Sequence, residues 1–352
     1  MLITIDILII IMLFILLFNF IIDFGNRFRR VSFFQYLIMV SIIIGSIYED
    51  IGLGGDYDNY RNIFTMIDYK SSTAEIGFHY LNLLIRQITD NFYIAFLIFM
   101  FIINFFTLKA IYEHSKQIEL SIIVYIIVCG YVTSANIVRQ CIAGAIYYYS
   151  IKFLFNNQYI KFIILGIIAF TFHTTVVIPF IITFIISVFN NKLNKNFEIY
   201  FICINSLIVI EPIIRRFGLA LIDKGYTESS FNYGSNILHY VVQLAFVSFY
   251  YINREKISDA REKMFMNLSV ITLGFVLLSQ AMVLYARFAT YFKLFNAILT
   301  SNVLIKIKDG KKKRLYYYLF SVGLCIYYLL LTSKELSSYN GNYIVDFLNQ
   351  LL

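Results

Sequence analysis

Long apolar runs separated by short polar breaks fill the chain, and they set its architecture before any single residue is weighed. The run from Leu2 to Ile22 has one acidic interruption, at Asp6, and extends about 20 residues, the length a helix needs to cross a hydrocarbon core of roughly 30 Å. Similar runs recur at 31–48, 92–113, 120–134, 137–155, 160–172, 174–189, 199–218, 235–252, 264–283, 288–305 and 315–332. The expected fold is all-α, a polytopic bundle of about 12 transmembrane helices (roughly 11–13), because helices satisfy their own backbone hydrogen bonds in lipid. No Pro-, Gly- or Ser-rich linker breaks the pattern, so residues 1–352 read as one transmembrane domain.

The stretch 160–189 decides the parity of the bundle. It reads either as one tilted helix or as a pair hinged near Phe172, His173 and Thr174. Counted as a pair, it puts the breaks 23–30, 109–119, 152–161, 190–197, 253–263 and 306–314 on one side, and these hold about two-thirds of the 29 Lys and Arg residues. The positive-inside rule makes that side cytoplasmic and both termini external. A single span would turn the basic 306–314 loop outward, so the pair is preferred.

The longest break, 49–91, then lies outside. It carries seven acidic residues against Arg61, Lys70 and Arg86. Within it Ile76, Tyr80, Leu83, Leu84 and Gln87 fall on one helical stripe, which predicts an amphipathic helix over 74–88 lying at the interface.

Composition agrees with a membrane domain: 60% of residues are hydrophobic and 14% charged. Met1 to Asp6 has no basic side chain, and the first run is followed by Arg27, Arg29 and Arg30, so it reads as a retained span rather than a signal peptide. Cys129, Cys141, Cys203 and Cys325 sit in apolar runs without metal-ligand spacing, and neither a metal nor a cofactor is expected. The net charge is +8, and the densest basic cluster, Lys311 to Arg314, lies between two expected spans, which points to anionic headgroups and membrane lipids rather than nucleic acid. No nucleotide-binding glycine loop is present, so energy for any reaction has to come from the substrate. With no Trp, the 29 tyrosines supply the interfacial aromatic belt, and Tyr57, Tyr60 and Tyr291 are candidates to stack on sugar rings.

The candidate chemistry lies at helix ends on the outer side. Asp56, after Gly54 and Gly55, reads either as a helix N-cap or as a carboxylate able to take a proton from a sugar hydroxyl. Glu75 reads either as the closing residue of a Ser72-Thr73-Ala74-Glu75 capping box or as a second site carboxylate. Asn136, Arg139 and Gln140 share one helical face, where Arg139 either snorkels to headgroups or offers its guanidinium fork to a pyrophosphate. Gln280, Arg287 and Tyr291 repeat that arrangement at i, i+7 and i+11 and are read as an inward polar stripe. His173 is either a satisfied polar residue at a turn or a catalytic base, and Glu211 with Arg215 reads as a helix ion pair.

Five segments occur in a telling order: GGDYDNYRNIF (Gly54–Phe64), AEIGFHYLNLL (Ala74–Leu84), NIVRQCIAGAI (Asn136–Ile146), IIAFTFHTTVVIPFII (Ile167–Ile182) and YARFATYF (Tyr285–Phe292). Together they resemble the EpsG-type proteins of the wider Wzy-like group of bacterial polysaccharide polymerases. That resemblance implies a multi-pass glycosyltransferase of the bacterial plasma membrane, joining undecaprenyl-pyrophosphate-linked oligosaccharide repeat units for capsule, exopolysaccharide or O-antigen. It implies site roles for Asp56, Glu75, Arg139, Gln140, His173 and Arg287. Asn136, Tyr60, Arg86 and Tyr291 are further substrate-binding candidates, and a chain-length regulator and a flippase of the same pathway are the expected protein partners. The alternative is that the chain is itself a lipid-linked oligosaccharide flippase. The segment Ser338 to Tyr343 departs from the family pattern, which has a proline-tyrosine element there.

Overall fold

The computed structural model describes residues 56–66, 74–128, 134, 136–222 and 234–336. The runs expected at 2–22 and 31–48, and the segment 338–343, lie outside them. Among the described residues every regular element is helical. They divide into two compact units: residues to 177 apart from 115–117, with those from 328 on, form the first, while 115–117 and 178–327 form the second.

The first unit holds α1 (Asp56–Thr65), α2 (Ile76–Arg86), α3 (Phe92–His114), α4 (Ile118–Val128), α5 (Val138–Phe155) and α6 (Tyr159–Phe172), followed by a 3₁₀ turn at Thr174–Val176. α5 is its axis and packs along α3 and α6. Ala143, Gly144 and Ala145 are buried on α5, and small side chains of this kind let apolar helices approach closely without a hydrophobic driving force between them. α2 is the amphipathic helix expected of 74–88. Its stripe of Ile76, Tyr80 and Leu84 is 60%, 59% and 59% exposed, while Phe78, Asn82 and Ile85 face the protein.

The chain breaks at His173, whose backbone is extended between α6 and the 3₁₀ turn. Two helices therefore occupy 160–189, with the interruption where the hinge was expected. By length and composition α3 and the stretch Thr174–Lys195 can each cross a membrane, and α6 and the helix Ile237–Ile252 are shorter apolar helices.

The remaining helices are α7 (Val177–Lys195), α8 (Phe197–Ile222), α9 (Ile237–Ile252), α10 (Ala260–Leu278), α11 (Leu284–Thr290), α12 (Leu294–Ile305) and α13 (Gly310–Leu336). α10 is central in the second unit and packs against α8, α9, α11 and α12. A buried polar network ties three of these together. Asn296 on α12 donates to Gln243 Oε1 on α9 at 2.8 Å, and Ser269 on α10 donates to Asn296 Oδ1 at 2.6 Å. Such interhelical bonds hold apolar helices together where every lost partner leaves a polar group stranded.

The span expected at 288–305 is broken in two: α11 and α12, which together are long and apolar enough to cross a membrane, meet at a 45° bend. Aromatic packing accompanies the bend. Phe292 stacks on Phe275 and Phe295 on Phe265, both on α10, and the backbone between tightens into i+3 bonds such as Phe292 N–H to Ala289 O at 3.0 Å.

Candidate functional site

Three residues far apart in sequence meet in the first unit. Glu75 Oε1 lies 2.8 Å from His173 Nδ1, and Glu75 Oε2 accepts from Arg139 Nη1. Glu75 is the residue immediately before α2, yet its side chain caps no backbone N–H. The capping-box reading is thereby set aside: the helix starts at Ile76, and the carboxylate is spent on two tertiary partners. Its position still draws on the positive end of α2, which favours an anion there. Arg139 sits in the first turn of α5, where a cation is disfavoured by the same dipole, so Glu75 offsets a local cost as well as orienting the fork.

Burial alone would raise the Glu75 pKa. The hydrogen bond to His173 and the charge of Arg139 outweigh it, and the carboxyl titrates below its ordinary value of 4.5. Glu75 therefore stays ionised through the neutral range. An ionised carboxylate on Nδ1 fixes the imidazole tautomer and leaves Nε2 as the nitrogen that faces chemistry, the logic by which a buried acid orients a catalytic histidine.

The guanidinium keeps unused capacity. Nη1 is committed to Glu75 and the Tyr60 hydroxyl lies close enough to act on the guanidinium, while Nε is buried with no partner among the described residues. A fixed fork of five N–H donors, with one held by Glu75, suits an anionic oxygen. Glu75, Arg139 and His173 are 19%, 29% and 20% exposed, so the site is sheltered yet open to a ligand.

Two further expected residues join the cluster in altered roles. Tyr60 donates from its hydroxyl to the Asn136 carbonyl at 3.4 Å, and its ring packs edge-on to Phe78, which in turn meets Phe99. With 4% exposure Tyr60 is enclosed by protein, so it braces Arg139 instead of offering a stacking face to a sugar. Asn136 contributes its backbone carbonyl in the turn before α5, and Gln140 is buried one residue beyond Arg139. Asp56 is the first residue of α1, one turn before Tyr60 on the same helical face, but its side chain and that of Tyr57 lie outside the described residues.

The other expected residues are elsewhere. Arg86 pairs with Asp90 at 3.3 Å and covers the Phe64 ring. Arg287 lies on α11 in the second unit, and Tyr291 there is 1% exposed, enclosed like Tyr60. The stripe of Gln280, Arg287 and Tyr291 is corrected: Gln280 falls in the turn after α10, where it donates to Ser235 Oγ at 2.8 Å, so no single helix carries all three. The Arg215 side chain lies outside the described residues.

One residue of the site went unread in the sequence. Gly77 abuts Thr171 so closely that a Cβ at 77 would lie 2.3 Å from Thr171 Oγ1 and 2.9 Å from its carbonyl oxygen. This contact seats the start of α2 on the end of α6 and brings Glu75 to His173. The available signal was a glycine inside an amphipathic helix, where it is costly unless another backbone passes close by.

Comparison with curated proteins and with solved structures yields no match. The family model described as the EpsG family matches residues 34–345, a range that contains all three residues of the cluster and nearly the whole chain. A match over nearly the whole of this all-helical, apolar chain shows that it belongs to the EpsG family.

Proposed function

We propose that the chain is a bacterial surface-polysaccharide polymerase, an integral-membrane glycosyltransferase that joins undecaprenyl-pyrophosphate-linked oligosaccharide repeat units at the outer face of the plasma membrane. The observation that carries this reading is Glu75 held between His173 and Arg139. A base and an anion-binding fork sharing one carboxylate are the two functions the transfer needs. A hydroxyl of the acceptor sugar attacks the anomeric carbon of the lipid-linked chain, and its proton passes to His173 Nε2. The bond from the anomeric carbon to the diphosphate breaks, and the lipid diphosphate leaves with the electron pair. Arg139 stabilises the charge that develops on that leaving group, and a preorganised cation in a sheltered site serves this best. Asp56 retains a role at the acceptor through its place on α1, and for Arg287, in the second unit, a phosphate-binding role rests on the resemblance of its segment alone.

The twelve-span topology belongs to the same proposal. In the second unit, Lys116, Glu262 and Lys306 come from three breaks assigned to the cytoplasm, and they meet: Lys116 Nζ is 3.2 Å from Glu262 Oε1, and Lys306 binds the other oxygen. In the first unit, Lys152 pairs with Glu113 at 2.9 Å, again between two breaks assigned to that side. These pairings support the assigned parity, which puts Glu75, Arg139 and His173 outside. Membrane lipids surround the protein, and a chain-length regulator and a flippase are its proposed partners.

The test is to supply purified protein in nanodiscs with a synthetic undecaprenyl-diphosphate-linked repeat unit. A ladder of products spaced by one repeat is expected. Transbilayer movement of the lipid-linked unit without a ladder would replace the polymerase with the flippase.

A further inference from the structure

At the end of α5 remote from Arg139, three lysines from three helices close around two aromatic rings. Lys109 of α3 and Lys152 of α5 both lie over the Tyr149 ring, at 5.2 and 3.8 Å from its centre. Lys152 also lies 4.9 Å from the Phe153 ring, and Lys161 of α6 lies 5.6 Å from that same ring. Each neighbouring pair of ammonium groups therefore shares a ring. Among the described residues one carboxylate enters the cluster, Glu113, which accepts from Lys152 at 2.9 Å. Lys109 and Lys161 form no ion pair among those residues, so two ammonium charges are left unanswered.

Lysines that only snorkel extend apart into water, because like charges repel. These three are gathered instead. Lys161 stands in the first turn of α6, which carries no acidic residue and where the helix dipole already disfavours a cation. The ring faces offset part of the repulsion. An anion held among the ammonium groups offsets the rest.

The surroundings identify what carries that anion. The Phe105 ring lies 5.7 Å from Lys109 and stacks on Phe101 at 6.0 Å. Phe101 and Leu97 are exposed along α3, a helix long and apolar enough to cross a membrane, so a lipid-facing surface ends at the lysines. A soluble phosphate or an acidic protein segment makes no use of that apolar approach, whereas a phospholipid brings acyl chains to it and a phosphate to the lysines. We propose that the lysine cluster at this end of α3, α5 and α6 binds the headgroup of an anionic phospholipid. Lys109, Lys152 and Lys161 fall in the breaks assigned to the cytoplasm, which places the lipid in the inner leaflet; that placement rests on the proposed topology, and the cluster itself does not. A bound headgroup joins the ends of α5 and α6 whose opposite ends deliver Arg139 and His173.

The test uses the full-length protein in phosphatidylcholine nanodiscs that hold a small share of phosphatidylglycerol with a photoreactive group near its headgroup. Labelling is expected on peptides containing 101–109 and 153–161, and photoreactive phosphatidylcholine should label them far less. Lys109→Gln combined with Lys161→Gln removes both unanswered charges and should lower the labelling roughly thirtyfold at an unchanged melting temperature, since each basic residue near a membrane surface contributes about fivefold. The same pair changed to Arg keeps the charges and should retain the labelling. Glu113→Gln releases Lys152 and should raise it about fivefold, a gain that misfolding cannot imitate. Equal labelling by the two lipids, unchanged labelling of the glutamine pair, no gain in Glu113→Gln, or displacement of the probe by inorganic phosphate or an acidic peptide would each overturn the proposal. No turnover is read, so a protein that makes no product ladder still tests this site, and a ladder without the labelling overturns the lipid site alone.

Discussion

Gly77→Ala separates a packing glycine from an incidental one by the sign of its effect. In an ordinary helix this change stabilises by roughly 0.5–1 kcal/mol, because alanine loses less backbone entropy. Here the new Cβ falls 2.3 Å from Thr171 Oγ1, about 1 Å short of the 3.4 Å at which ordinary contact begins. If the start of α2 moves away by that amount, the 2.8 Å contact between Glu75 and His173 stretches beyond hydrogen-bonding range. Overpacking of this kind costs about 1–3 kcal/mol. A catalytic group misplaced by about 1 Å loses on the order of a hundredfold in rate. Product ladders measured at equal protein, with melting temperatures in detergent, should show both losses. Thr171→Ala added to Gly77→Ala removes the worst contact but leaves the carbonyl oxygen at 2.9 Å, so recovery should be partial. A Gly77→Ala protein that melts higher and makes wild-type polymer would refute the argument.

Arg139→Lys keeps the charge and removes the fork; it should cost about 1.5–3 kcal/mol of transition-state binding, a roughly ten- to hundredfold fall in polymer, with repeat units left on the carrier and the protein still in the membrane. The Glu75 carboxyl titrates below its ordinary value of 4.5, so its contribution to stability is complete above that pH and is lost as the pH falls through the lowered value. The difference in melting temperature between wild type and Glu75→Gln should accordingly be flat above pH 4.5 and close only below it; closure at higher pH contradicts the assignment. Glu262 is 2% exposed, but Lys116 and Lys306 keep 45% and 21%, so Glu262→Gln should destabilise by about 1–3 kcal/mol, less than a fully buried pair would lose; no change in denaturant midpoint would show the cluster to be inert. In a cysteine-free background Thr174→Cys should react with an impermeant thiol reagent from outside the cell, and labelling only from the cytosolic side would invert the topology.

The helices were legible where apolar runs are long, because burying such a run in lipid fixes helix and length together. The bend at 291–293 was not, since Phe292 and Phe295 are as apolar as their neighbours, and their stacking on Phe275 and Phe265 of α10 is a tertiary fact. The same blindness produced the expected stripe of Gln280, Arg287 and Tyr291, which needs a continuous helix that the chain does not form. Tyr60 and Tyr291 looked available because tyrosine is common at membrane interfaces, and burial is a tertiary fact.

Glu75 marks where local reading stops. Its sequence neighbours satisfy the capping-box pattern, and a local rule has no means of knowing that Arg139 and His173 will compete for the carboxylate. An exposed capping bond is worth about 1 kcal/mol. Two charge-assisted partners in a sheltered site are worth about 1.5–3 kcal/mol each, so the tertiary contacts win once α2 reaches α6. Gly77 makes that approach sterically possible, two residues from the carboxylate it delivers. The glycine and the acid therefore act as one unit: with a side chain at 77 the cap becomes the better partner for Glu75, and the histidine loses the group that orients it.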